Sequence, residues 1–309
     1  MGKYIGKRLL HLLGILIALS FLTFLLMYLS PGDAATKKLT AQGIAISEEV
    51  LQKAREDMGL DRPFIAQYFD WAFHVLQGDL GASYKDGVAV TDKIAKALGF
   101  TALLALGSLA VSLLISLPLA LLTALKKDSP LDYIIRFLSF IGNSLPNFLI
   151  SVLLMYFLCV KARWFPVIAE RSVRGLLLPC LALAIPMTGR FIRQFRAELL
   201  EQLGRDYVGG AVSRGVLPRF ILLRNVLRNA SISIFTIVGL SIGTLFGGSV
   251  VIETIFRWPG LGKLAMDAIT ARDYPVIQGF VLFTAVVYVL VNLITDIAYH
   301  WIDPRVRPE

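Results

Sequence analysis

The sequence predicts an all-α integral membrane protein: six transmembrane helices, with an extracytoplasmic segment after the first. Three observations carry this. Of 309 residues, 56% are hydrophobic and only 17% are charged, against about a quarter charged in a soluble domain. The mean hydropathy is +0.68. Six apolar stretches, 9–29, 99–125, 133–160, 176–195, 230–252 and 276–300, each come near or above the ~20 residues that cross a hydrocarbon core of ~30 Å. Backbone polar groups find no water there, so an open-ended chain must cross as helices. This composition excludes a disordered chain and argues against an ordinary soluble enzyme.

The elements follow in order. The apolar run Leu12 to Leu29 exceeds the 7–15 residues of a signal peptide, so the first span is read as retained. Segment 30–98 opens with Pro31-Gly32-Asp33, a stop. Ser47-Glu48-Glu49-Val50 starts a helix that Gly59-Leu60-Asp61-Arg62-Pro63 ends. Phe64 to Leu76 is rich in rings, with Tyr68, Phe69, Trp71 and Phe73, and also carries His74. It is either a helix lying at headgroup level on the outer surface or a packed cap over the spans; both readings stay open. The fourth span is interrupted by Pro179 and Pro186, which membrane helices tolerate where neighbours satisfy the freed carbonyls. After the fifth span, a turn at Pro259-Gly260 precedes a short helix over Leu261 to Thr270. Cys159 and Cys180 lie in apolar runs and read as packing residues.

Orientation comes from Lys and Arg. With the N-terminus inside, cytoplasmic segments hold 16 of them, among them Lys3, Lys7, Arg8, Arg305 and Arg307. The two short outer loops hold seven. Segment 30–98 is discounted because it exceeds ~60 residues. Both termini are therefore expected in the cytoplasm. The net charge of +9 reflects this bias rather than nucleic-acid binding.

The longest cytoplasmic loop carries eight arginines between Arg190 and Arg228 and no lysine. Within it Arg205-Asp206-Tyr207-Val208-Gly209-Gly210-Ala211-Val212-Ser213-Arg214-Gly215 reads as a short helix ended by Gly215. Small residues let such a helix sit deep in another protein's groove, with arginines pairing carboxylates there. The blander reading is charge bias plus contact with lipid headgroups. Polar residues within the spans are modest: Asn143, Ser144 and Asn147 around Pro146, then Ser241, Thr244 and Asn292. Gly239, Gly243 and Gly247 fall four apart, which permits close helix packing or a narrow path. Asn143, Ser144, Asn147, Gly243 and Gly247 are the candidate translocation-path residues. Asp296 reads as an interfacial pairing group.

Reactive motifs are missing. Gly260-Leu261-Gly262-Lys263 lacks the first glycine of a phosphate loop. His11, His74 and His300 are far apart, and neither a metal-binding His-Glu motif nor a nucleophile elbow occurs. No metal site and no catalytic residue is expected.

An ordered set of motifs runs along the chain: Pro31-Gly32-Asp33, Leu60-Asp61-Arg62-Pro63 with Gln67-Tyr68, Gly78-Asp79-Leu80-Gly81 with Ser83, and Ser144-Leu145-Pro146-Asn147-Phe148. It continues with Leu223-Arg224-Asn225-Val226-Leu227-Arg228-Asn229-Ala230. The most specific are Val251-Ile252-Glu253-Thr254-Ile255-Phe256-Arg257-Trp258-Pro259-Gly260-Leu261-Gly262, Arg272-Asp273-Tyr274-Pro275-Val276-Ile277-Gln278 and Asp303-Pro304-Arg305. Together they resemble the B-type inner-membrane permease subunits of ABC importers in the dipeptide/oligopeptide/nickel family.

The resemblance implies an ABC importer permease fold. The spans themselves divide the chain into a cytoplasmic tail and first span (1–29), an extracytoplasmic segment (30–98) and a five-helix core (99–309), in which the resemblance makes 196–229 the cytoplasmic coupling loop. The resemblance implies pairing with a second homologous permease, two ATPase subunits that bind ATP and Mg, and an extracytoplasmic binding protein. The chain itself would hold no cofactor. Arg205, Asp206, Tyr207, Gly209, Gly210, Ala211, Arg214 and Gly215 become the ATPase-docking coupling helix. The Gly209-Gly210 pair departs from the family's pattern and lowers helix propensity by about 1 kcal/mol per glycine. Ala34 stands where the family commonly has a proline. Peptides and nickel or metal chelates both fit as substrate, and overall look leans slightly to nickel or a metal chelate. The rivals are an ATP-independent channel or secondary transporter, betrayed by flux without ATP, and a membrane-embedded enzyme, active without partners.

Overall fold

The computed structural model describes residues 2–30, 33–41, 43–44 and 46–302. Pro31, Gly32 and the tail motif Asp303-Pro304-Arg305 with Arg307 lie outside the described residues, as do the side chains of Lys3, Lys7, Arg8, His11, Thr244, Asn292, Asp296 and His300. The described chain is helical, with one isolated bridge between Ala82 and Ala89. It forms two compact units, Met1–Phe100 with Pro259–Leu290, and Thr101–Trp258 with Val291–Glu309.

The first unit begins with α1 (Gly2–Tyr28), α2 (Ala34–Ala41), α3 (Glu48–Asp57) and α4 (Phe64–Leu76). α3 starts as its sequence dictates. Ser47 Oγ accepts the Val50 amide at 3.3 Å, and Glu48 and Glu49 occupy the first turn, where the helix dipole favours acids. α4 packs on α1 through rings: Phe21, Phe24 and Tyr28 meet Phe64, Tyr68 and Trp71 at centroid separations of 4.9–5.7 Å. The start of α5 (Val90–Leu125), α12 (Leu261–Ala271) and the start of α13 (Tyr274–Ile302) share an apolar core of Val90, Ile94, Ala97, Leu261, Ala268 and Val276. Gly279 lets α13 approach: a Cβ there would stand 3.3 Å from Ile94 Cδ1 and closer still to Val90. Asp273 is buried and accepts from Ser83 Oγ at 2.5 Å and the Tyr84 amide at 2.9 Å. Burial, with the adjacent Asp273 carboxylate, pushes the Tyr84 phenol well above its ordinary range.

Two carboxylates of this unit predict acid sensitivity. Asp33 accepts from Arg55 Nε at 3.0 Å, Thr36 Oγ1 at 3.1 Å and the Ala35 amide at 3.3 Å. Asp86 accepts from Lys93 Nζ at 2.6 Å and the Val88 amide at 3.2 Å. Burial alone would raise both groups; the donors outweigh it and hold both below the usual carboxylate value. A depressed carboxylate contributes stability above its unfolded pKa of about 4 and loses it as pH falls through the folded value. Amides around 33–41 and 83–93 are therefore expected to lose hydrogen-exchange protection below about pH 4, after correction for intrinsic rates. Unchanged protection there would contradict this.

The second unit holds most of α5, then α6 (Pro130–Ser144), α7 (Asn147–Leu154) with a π-helical extension Met155–Lys161, and α8 (Val173–Leu203). It continues through α9 (Asp206–Ser213), α10 (Pro218–Phe220), a π-helical stretch Ile221–Val226 and α11 (Leu227–Phe256). The span expected over 133–160 is not one straight helix. It is two helices, Pro130–Ser144 and Asn147–Lys161, meeting at 100°. Leu145 is extended (φ −80°, ψ 130°) because a residue before proline is driven out of the helical region, and Pro146 offers no amide to continue the ladder. α8 runs unbroken through Pro179 and Pro186. Among the described residues, four helices are long and apolar enough to cross a bilayer, five with the bent pair, and α1 adds a 17-residue apolar stretch, Leu12–Tyr28.

α6 and α8 lie backbone to backbone. A Cβ on Gly189 would collide with the Ser139 carbonyl oxygen and stand 3.1 Å from the Asn143 amide. Near the other end of α6, Asp132 is fully buried. Arg196 of α8 forks onto it, Nε to Oδ1 at 2.9 Å and Nη2 to Oδ2 at 2.6 Å, and the Asp128 amide adds a third bond at 3.1 Å.

Candidate coupling helix and membrane-path residues

α9 follows α8 after Gly204 and Arg205. Arg205 is the N-cap residue, and its guanidinium pairs with Glu201 one turn back. Asp206 sits in the first turn, where the exposed amides attract a negative charge. Tyr207 is half-buried and donates its hydroxyl to Gln202 Oε1 at 3.1 Å. Ala211 is the buried residue of the helix, 2% exposed, and anchors it. Gly215 adopts φ +72° and closes a Schellman motif. Its amide bonds Val212 O at 2.9 Å, and the Val216 amide bonds Ala211 O at 3.1 Å. The sequence-based stop at Gly215 is therefore met by a conformation that glycine favours.

The rest of α9 faces outward. Gly209, Gly210, Val212, Ser213 and Arg214 are exposed, and nothing lies within 4 Å of a Cβ built on either glycine. The two glycines are helical here despite their low propensity. Apolar exposure continues past the helix at Val216, Leu217, Phe220 and Leu223. The result is a short, small-residued helix flanked by Arg205 and Arg214, with uncovered apolar side chains beside it.

The candidate path residues are placed less uniformly. Asn143 and Ser144 end α6 and Asn147 begins α7, so all three gather at the 100° bend. Ser144 Oγ is committed to Phe140 O at 2.8 Å. Asn147 is brought against α11: a Cβ on Gly248 would sit 3.9 Å from its Nδ2. Gly247 is exposed with open space around it, whereas Gly243 is buried.

Two buried carboxylates are absent from the candidate site residues. Asp132 is described above. Glu253, one residue past the apolar stretch 230–252, is inside α11 and fully buried, accepting from Thr101 Oγ1 at 2.7 Å. The helix runs to Phe256 and stops where Arg257 turns left-handed (φ 55°) and the Trp258 amide bonds Glu253 O at 2.8 Å.

These helices make a polytopic membrane protein with the short, largely exposed α9 between α8 and the apolar helix that starts at Pro218. The chain belongs to the family of binding-protein-dependent transport system inner membrane components, whose model matches residues 116–308. The model of that family's N-terminal membrane component matches residues 1–105. It is 38% identical to the oligopeptide transport system permease protein AppB of Bacillus subtilis, over 99% of this chain and 100% of that one. It is 35% identical to a probable peptide ABC transporter permease of Sinorhizobium fredii, over 99% and 100%. It is also 35% identical to the glutathione transport system permease protein GsiC of Salmonella choleraesuis, over 99% of each. In fold it is similar to a chain of the inward-facing MetNI methionine ABC transporter, with TM-score 0.56 and 16% identity, covering 68% of this chain and 96% of that one. The chain is thus a multi-pass inner-membrane permease subunit of an ABC importer. It is a transport subunit rather than an enzyme, and it works with a separate ATPase and a substrate-binding protein.

Proposed function

We propose that this permease conducts peptides or small peptide-like compounds, driven by an ATPase that grips α9. The named substrates of the relatives above, peptides, oligopeptides and glutathione, support that class over nickel. In this reading both termini are cytoplasmic, a second homologous permease completes the path, and two ATPase subunits bind ATP and Mg. An extracytoplasmic binding protein delivers the substrate. Closure of the nucleotide-bound ATPase dimer displaces α9, the spans rock, and access alternates between the two sides.

The observation that carries this reading is α9 itself. It is exposed on the face bearing Gly209, Gly210 and Arg214, held by Ala211 and closed at Gly215. Small residues admit a groove wall to within backbone distance, and Arg205 and Arg214 offer forked donors for carboxylates. In this reading Asn143, Ser144 and Asn147 at the bend border the path, with Gly243 and Gly247 on α11 opposite.

The test is charge reversal. Arg205→Glu and Arg214→Glu are expected to reduce ATPase copurification and peptide uptake at least tenfold, while the chain still elutes as a folded species. Arg205 already has an intrachain partner in Glu201, so Arg214→Glu is expected to have the larger effect. Normal copurification with normal uptake would overturn the placement.

A further inference from the structure

α4 carries three different faces. At roughly 100° per residue they lie about 120° apart around its axis. One face, Phe64, Tyr68 and Trp71, is packed on the rings of α1. A second, Gln67, Asp70 and His74, lines a cavity of about 710 Å³ whose wall also includes Asp79. The third, Ile65, Phe69, Phe73 and Leu76, recurs at helical spacing and is 53%, 66%, 61% and 84% exposed. A helix in water does not keep such a stripe uncovered beside a polar one.

The position of α4 along α1 says what covers it. Its contacts begin at Tyr28 and reach Ser20, whose hydroxyl is 2.9 Å from the Tyr68 hydroxyl. Eight residues of helix span about 12 Å, most of the ~15 Å half-thickness of a hydrocarbon core. Those contacts lie within the apolar stretch Leu12–Tyr28, so α4 sits alongside the part of α1 that lies in the membrane. Leu22 and Leu26 of α1 are themselves 50% and 60% exposed, and Leu29, just past its end, is 66% exposed.

We propose that α4 is embedded in the outer leaflet, with Ile65, Phe69, Phe73 and Leu76 covered by lipid acyl chains. Gln67, Asp70 and His74 face the water of the cavity. The helix is then an interfacial element rather than part of a water-exposed domain, and its ring cluster secures it to the first span. The proposal rests on the membrane embedding that the family shows. Only the choice of leaflet depends on the orientation in the preceding section.

The assembled importer in lipid nanodiscs provides the test. Spin labels at Phe69→Cys and Phe73→Cys are expected to relax several-fold faster with oxygen than with a water-soluble nickel chelate. Labels at Asp70→Cys and His74→Cys should show the opposite preference. Native Cys159 and Cys180 are buried and stay in place. A diazirine-bearing phospholipid should label peptides covering 65–76 of the unmodified chain, without any substitution. Equal access of the nickel chelate to all four labels would overturn the proposal in favour of an aqueous cap. Labels at 69 and 73 that are immobile and shielded from both reagents would overturn it in favour of a protein partner on this face. Docking of the ATPase at α9 is read separately, so failure of one does not mimic failure of the other.

Discussion

Replacing Gly189 with leucine is expected to abolish accumulation of the folded chain. The cause is backbone. A Cβ at this position runs into the Ser139 carbonyl oxygen and crowds the Asn143 amide, and neither belongs to a side chain that can swing away. α6 and α8 would have to separate. Overpacking ordinarily costs about 1–3 kcal/mol, and an obstacle made of main chain places this variant at or beyond the top of that range. Separation also forfeits the close contact that holds apolar helices together in lipid, where no hydrophobic force drives them. The measurement is the yield of monodisperse detergent-solubilised protein by size exclusion. Gly142→Ala supplies the internal control on the same interface. Its Cβ would meet Ile185 at 3.5–3.6 Å, ordinary contact, so near-normal yield is expected. Equal yields from Gly189→Leu and wild type would show that α6 does not pack here as described. The exposed glycines of α9 make an opposite case. Gly210→Ala meets open space and should strengthen that helix by about 1 kcal/mol.

How much of this was legible beforehand depends on the range of the interaction. Ser47 announced α3 because a cap is a contact between neighbours in sequence, and the Gly215 terminus was legible for the same reason. Pro259-Gly260 before α12 likewise marked a local turn. Pro146 was visible too, but its effect was not. A hydropathy count sums residues and carries no direction, so 133–160 read as one span although the chain turns through 100° there. Asp132 and Glu253 were missed for a related reason. Each stands one residue outside an apolar stretch, where a hydropathy count assigns a carboxylate to the surface. Both are fully buried, because Arg196 and Thr101 reach them from 64 and 152 residues away. Such partners leave no periodic signal. The same limit separates the candidate residues of the site. The α9 set is contiguous and was recognisable as a unit. Asn147 and α11 met only once the bend was in place.

Removing the Asp132 carboxylate is expected to destabilise the second unit by about 3–5 kcal/mol. Asp132→Ala leaves Arg196 only 14% exposed at its side chain, with its forked partner gone and with Arg136 at 3.9 Å from the former Oδ2 adding like charge. A buried charge stripped of its partner costs far more than the pair contributes. The double variant Asp132→Leu/Arg196→Met should therefore recover most of the loss, since it removes the stranded charge along with the fork. Arg196→Lys should fall between them, because an ammonium cannot make both bonds of the planar fork. Thermal unfolding of the purified permease reads the ranking: wild type, then the double variant, then lysine, then alanine. If alanine and the double variant lose equally, the pair itself holds α6 on α8. If alanine loses nothing, Arg196 has another partner and the fork is incidental. The outcome matters for transport because α8 leads into α9. α8 meets α6 closely at Gly189 and again at Asp132, so the same helix pair joins the start of α9 to Asn143 and Ser144 at the bend.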